Sequence, residues 1–115
     1  LQTIYDALSD EIKNTKPDVI AIEDIFYGKN IKSLIKQGHV RGVAILAASH
    51  NGKRIFEYTP LEIKKAVVGY GRAEKNQMQI MTKAILKMHE LPPPDAADAL
   101  AVAVCHANFM KETSI

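Results

Sequence analysis

Three carboxylates stand where acids are unusual. Glu23 closes the apolar run Val19-Ile20-Ala21-Ile22, while Asp95 and Asp98 precede Ala99-Leu100-Ala101-Val102-Ala103-Val104-Cys105. A spacing of three puts Asp95 and Asp98 on one helix face. The apolar run behind them predicts a helix buried all round. Acids at the ends of buried elements are costly unless cations or a metal ion share the space. Hard ions such as Mg²⁺ take oxygen from one or two carboxylates and from substrate phosphates. A strand-end Glu near a helical Asp pair therefore suits metal-assisted chemistry on a phosphate. A plainer account stays open for each: Asp95 and Asp98 as capping and macrodipole partners, and Glu23 as a surface acid.

The charge distribution points the same way. The formal net charge is only +2, yet Lys29 to Lys87 holds twelve Lys/Arg against three acids, and the two ends carry the balancing excess of acid. A basic centre with acidic flanks suits a polyanionic partner, although solvated helix faces give the same pattern. Other chemistries find less support. Gly69-Tyr70-Gly71-Arg72-Ala73-Glu74-Lys75 lacks the full phosphate-loop pattern and reads as a helix C-cap turn. Cys105 lies in the apolar helix and reads as core. The four His residues share no ligand spacing. Trp is absent and aromatics are 6%, which disfavours large stacking platforms for single strands.

The elements that must position these acids follow from periodicity. Leu1, Ile4, Leu8 and Ile12 mark an amphipathic helix. No capping residue precedes it, and it ends near Lys16, ahead of Pro17. Asp18 to Asp24 reads as a buried strand. Phe26 to Asn30 is a loop. Residues 30–49 repeat as a helix, in which Gly38 and Gly42 suggest close approach of another backbone, a second subunit for instance. His50 to Lys53 is a turn, and Arg54 to Tyr58 alternates as a strand. Thr59-Pro60 is a strong helix start, and that helix ends at Gly69-Tyr70-Gly71. A further helix runs from about Ala73 to His89, with Met78, Met81 and Met88 as core filler. After Pro92-Pro93-Pro94 a last helix runs from Asp95 to about Met110.

The order is helix, strand, helix, strand and three helices, an α/β pattern. A length of 115 residues suits a single domain. No run of 18 apolar residues occurs, so no spanning helix is expected. No export leader is visible, and one cysteine gives no internal disulfide, so a cytoplasmic location is expected. Two strands alone make a weak sheet. The expectation is that further strands precede Leu1 or come from another chain.

Four segments together carry a family resemblance: Ala21-Ile22-Glu23-Asp24-Ile25-Phe26, Arg41-Gly42-Val43-Ala44, Val67 to Lys75, and Pro94-Asp95-Ala96-Ala97-Asp98-Ala99-Leu100-Ala101. From Asp18 to Phe109 the chain resembles the RuvC family of bacterial Holliday-junction resolvases. The resemblance implies a ribonuclease H-like fold, a mixed central sheet flanked by helices, of which residues 1–115 form the C-terminal portion. It implies a homodimer that resolves four-way DNA junctions by paired symmetric nicks in recombination and repair. It also implies two divalent ions per site, Mg²⁺ with Mn²⁺ as substitute, and the branch-migration proteins RuvA and RuvB as partners.

Residue by residue, Glu23, Asp95 and Asp98 match the second, third and fourth metal-binding acids of the family. The first has no counterpart, because the family's first strand is not represented, and the chain is expected to be an incomplete fragment. Phe26 matches an aromatic used near the junction centre. Lys64 and Lys75 match lysines at the scissile phosphate. The helix over residues 30–48 matches the dimer-forming element. Lys32, Lys36, Arg41 and Arg72 are candidates for DNA backbone contacts, which would weaken steeply with salt. Two alternatives remain: a non-catalytic DNA-binding or assembly module of the same fold, and a nucleotide-binding α/β domain.

Overall fold

The computed structural model describes residues 1–24, 30–69 and 75–113, with the side chains of residues 75, 112 and 113 excepted. The elements are α1 (Gln2–Thr15), β1 (Val19–Glu23), α2 (Ile31–His50), β2 (Arg54–Tyr58), α3 (Pro60–Val68), α4 (Lys75–Ile85) and α5 (Pro94–Thr113). Their order is the one the sequence predicts. β1 and β2 pair in a two-stranded sheet. The Asp24 N–H, just past the end of β1, donates to the Tyr58 carbonyl at the end of β2 over 2.7 Å. Both C-terminal ends therefore lie side by side, and the strands are parallel. β1 is half-buried rather than fully buried along Val19–Ile22, since it has one neighbour among the described residues.

The chain groups into two compact units, Leu1–Ile20 with the described part of Ile25–Phe56, and Ala21–Asp24 with Glu57–Ile115. In the first unit α1 packs on α2. α1 opens on Leu1 without a side-chain cap and stops where Lys16 turns left-handed at φ 49°. Asn51 joins the two helices, its amide donating to Ser9 Oγ and to the Ala47 carbonyl. Asn30, predicted as loop, caps α2 through the Lys32 N–H. Most of α2 is exposed, and a Cβ placed on Gly38 or Gly42 would meet nothing within 4 Å. The close approach expected at these glycines is thus not made within the described residues of this chain.

In the second unit α3, α4 and α5 pack against one another. Thr59 and Glu62 form a reciprocal capping box, with Pro60 at the first helical position. Gly69 ends α3 at φ 86°, the left-handed turn expected of a C-cap glycine. α4 is shorter than expected. It closes at Ile85 through bonds from Lys87 N–H to the Ala84 carbonyl and from Met88 N–H to the Lys83 carbonyl, with Lys87 at φ 53°. That is a Schellman turn built on lysine, so the usual glycine signal is missing. Met78 is core, but Met81 is exposed. α5 buries Ala97, Ala101, Val102, Val104 and Cys105 while Ala99 and Ala103 face out. It is therefore covered on one side rather than all round.

Thr82 is fully buried, and its hydroxyl has no hydrogen-bond partner among the described residues. An unsatisfied buried hydroxyl costs about 1 kcal/mol or more. Thr82→Val is expected to raise stability by about 1 kcal/mol, read as a higher urea midpoint at unchanged slope.

Candidate functional site

The chemistry-bearing residues of the second unit come from three elements. Glu23 is the last residue of β1. In open α/β sheets the carboxyl ends of parallel strands are where ligands bind. Asp98 lies on α5, one turn beyond Asp95, and Lys64 lies midway along α3. The fold dictates these placements locally. Ile63 and Val67 turn one face of α3 into the core, which leaves Lys64 at its half-buried flank. Ala97 and Ala101, both fully buried, let neighbouring helices approach α5 closely and hold Asp98 at the border of the core.

The electrostatics join the three. The Glu23 carboxyl is held above the ordinary carboxylate range. The protein crowding its inner side contributes most, the negative charge of Asp98 adds to it, and Lys64 opposes both. The outer side of Glu23 remains exposed. A carboxylate pair of like charge, flanked by one ammonium group and open on one side, suits a cation that brings its own water or phosphate ligands.

Asp95 takes a different position. It is the second residue of α5 and is exposed. The Pro93 carbonyl ahead of the helix already accepts from the Ala97 N–H, at 2.8 Å. Asp95 is therefore a first-turn macrodipole acid rather than an N-cap. Asp98 and Lys64 supply the leading charges acting on Glu23. Among the described residues no three His, Cys, Asp or Glu side chains gather into a metal-holding group. Among the described residues Glu23 and Asp98 offer a partial donor set of two carboxylates, of the kind an ion completes with phosphate oxygens and water.

Lys32 and Lys36 are exposed on α2, and Arg41 on the same helix is half-buried. Phe26, Arg72 and the side chain of Lys75 lie outside the described residues. Cys105 is buried, and burial first and then Glu62 push its thiol up, as befits core rather than a nucleophile. One feature was invisible in the sequence: the Tyr58 hydroxyl meets His106 Nδ1 at 2.6 Å, although the residues are 48 apart.

Parallel strands joined through a helix and followed by three helices make an α/β fold, and its structural neighbours place it in the ribonuclease H-like class. The model of the family described as crossover junction endodeoxyribonuclease RuvC matches residues 1–106, and the chain belongs to this family. RuvC of Caldanaerobacter subterraneus subsp. tengcongensis is 55% identical over 109 residues, which are 94% of this chain and 66% of the relative. RuvC of Ruminiclostridium cellulolyticum is 56% identical over the same length and share. The chain thus spans about 66% of the length of these relatives. Thermus thermophilus RuvC superposes with a TM-score of 0.86 at 29% identity, and its complex with a Holliday junction substrate with 0.90, each covering 96% of this chain and 68% of the other.

The pKa shift of Glu23 has a consequence for stability without metal. A carboxyl raised on folding lowers stability at pH above its raised value, and the loss disappears as pH falls below the ordinary value of about 4.3. Glu23→Gln is expected to raise the urea midpoint of metal-free protein at pH 7.5 and to leave it unchanged near pH 3.5.

Proposed function

We propose that the protein to which this chain belongs is a structure-selective endonuclease. Its substrate is four-way DNA junction, which it resolves by paired symmetric nicks in recombination and repair. The observation that carries the reading is the Glu23, Asp98 and Lys64 cluster at the carboxyl end of β1. Family membership and the junction-bound relative of the same fold support it.

Glu23 and Asp98, with Asp95 at the mouth of α5, would hold the metal, Mg²⁺ or Mn²⁺, at two ions per site. Such ions would supply activation of water and stabilisation of the leaving oxygen of a phosphodiester. The protein's own groups do the rest. Glu23 and Asp98 present their carboxylates at the strand end, where one could also take up a proton released there. Lys64 and Lys75 offset charge that builds on the phosphate oxygens during attack. Phe26 meets bases near the junction centre. Lys32, Lys36, Arg41 and Arg72 contact backbone phosphates without reading sequence.

The partner is a second copy of the chain, meeting at α2. That helix exposes Ile31 at 75% and Ile35 at 52%, and its glycines leave room for a neighbour. Residues 1–115 form part of a single nuclease domain, working in the cytoplasm with RuvA and RuvB. No helix among the described residues is long and apolar enough to cross a membrane.

In the full-length protein, Asp98→Asn is expected to slow cleavage of a synthetic four-way junction by on the order of 100-fold or more, since a metal ion is worth several kcal/mol of barrier. Junction binding in a gel-shift assay is expected to survive. Intact cleavage would overturn the assignment. Lys75→Ala is expected to slow cleavage with modest loss of binding, measured in single turnover.

A further inference from the structure

Two carboxylates of like charge need something to oppose their separation. Lys64 supplies attraction from α3. A second restraint runs through Tyr58. Its backbone carbonyl accepts from the Asp24 N–H at 2.7 Å, which pins the chain immediately after Glu23. Its side chain is buried, lies edge-on to Phe109 at 6.0 Å between ring centroids, and places its hydroxyl 2.6 Å from His106 Nδ1. Phe109 and His106 are both on α5, the helix that carries Asp98.

Tyr58 therefore bonds both carriers of the carboxylate pair, one through its main chain and the other through its side chain. His106 follows Asp98 by eight residues, about 12 Å along the helix axis. Cys105, seven residues after Asp98 and on the same stripe of α5, is close enough to Tyr58 to influence its titration. Tyr58 thus ties the strand ends to α5 more than two turns beyond Asp98. With that bond broken, α5 is freer to pivot about its packing with α3 and α4 and to carry Asp98 relative to Glu23. Burial first, then Cys105 and Glu62, raise the Tyr58 pKa. The hydroxyl therefore keeps its proton and remains a hydrogen-bonding group beside His106 Nδ1.

We propose that Tyr58 is a positioning residue that sets the separation of Glu23 and Asp98 through its bond to His106, and thereby the affinity of the site for divalent metal. The proposal rests on the nuclease reading and adds a residue that touches neither metal nor DNA.

The test uses the full-length protein and two readouts: Mn²⁺ affinity by calorimetry without DNA, and the Mg²⁺ dependence of junction cleavage. Tyr58→Phe keeps the ring and removes the hydroxyl. It is expected to weaken Mn²⁺ binding by about fivefold, the weight of one ordinary hydrogen bond, and to raise the Mg²⁺ needed for half-maximal cleavage by a similar factor. Excess Mg²⁺ is expected to restore the rate. His106→Leu should match Tyr58→Phe. His106→Asn, whose Oδ1 can stand where Nδ1 was, should recover most of the lost affinity. Unchanged metal affinity in Tyr58→Phe, or equal losses in His106→Asn and His106→Leu, would overturn the proposal and leave Tyr58 as core only. If wild-type protein fails to cleave junctions, the nuclease reading fails, while the Mn²⁺ titrations still decide the role of Tyr58.

Discussion

Like charges near one another, partly withdrawn from water, do not stay together unaided. Glu23 and Asp98 are such a pair, carried by two elements of the second unit. β1 delivers one carboxylate at its end, and α5 delivers the other at the edge of its buried stripe. The raised Glu23 carboxyl is the cost, set by crowding and by Asp98 and only partly relieved by Lys64. A cation reverses the sign of that arrangement, because the two charges that repel one another both attract it. Under the proposed nuclease reading, an acidic pair that is unfavourable by itself is part of a site completed by metal and phosphate.

The packing beneath is built for close approach rather than bulk. Ala97 and Ala101 are fully buried on α5, among the larger core side chains Tyr58 of β2, Ile63 and Val67 of α3, and Met78 of α4. Small residues on the helix that carries Asp98 bring its backbone near its neighbours, so small displacements are resisted by many contacts. The capping box at Thr59 and Glu62 fixes the start of α3 one turn before Lys64. Tyr58 immediately precedes that cap, so strand end, helix start and the link to α5 succeed one another within a few residues. α2 differs: Ala47 and Ala48 are its buried residues, while Ile31, Ile35, Val40 and Leu46 stay exposed.

Much of this was legible along the chain. Element order, the Thr59-Pro60 start and the Gly69 stop follow from local chemistry, as periodicity and capping act over a few residues. The sequence singles out Glu23 at a strand end and Asp95 with Asp98 at the start of an apolar helix, and in the structure Glu23 feels Asp98. The departures come from neighbours distant in sequence. α5 was expected to be buried all round, but α3 and α4 cover one side of it. β1 was expected to be fully buried, but it has a single partner among the described residues. α4 ends at Lys87 in a turn that glycine usually makes, where no local signal exists.

The sequence by itself determined which segments become strands and helices, which acids are candidates for a site and where the basic residues concentrate. These depend on side-chain type and on spacings of a few residues. Only the tertiary structure decided that Glu23 feels Asp98 and Lys64 while Asp95 stands out in the first turn of α5. It alone decided that Tyr58 reaches across 48 residues to His106. Coulomb forces and hydrogen bonds act over ångströms of space, and the chain brings such partners together only when its helices have packed.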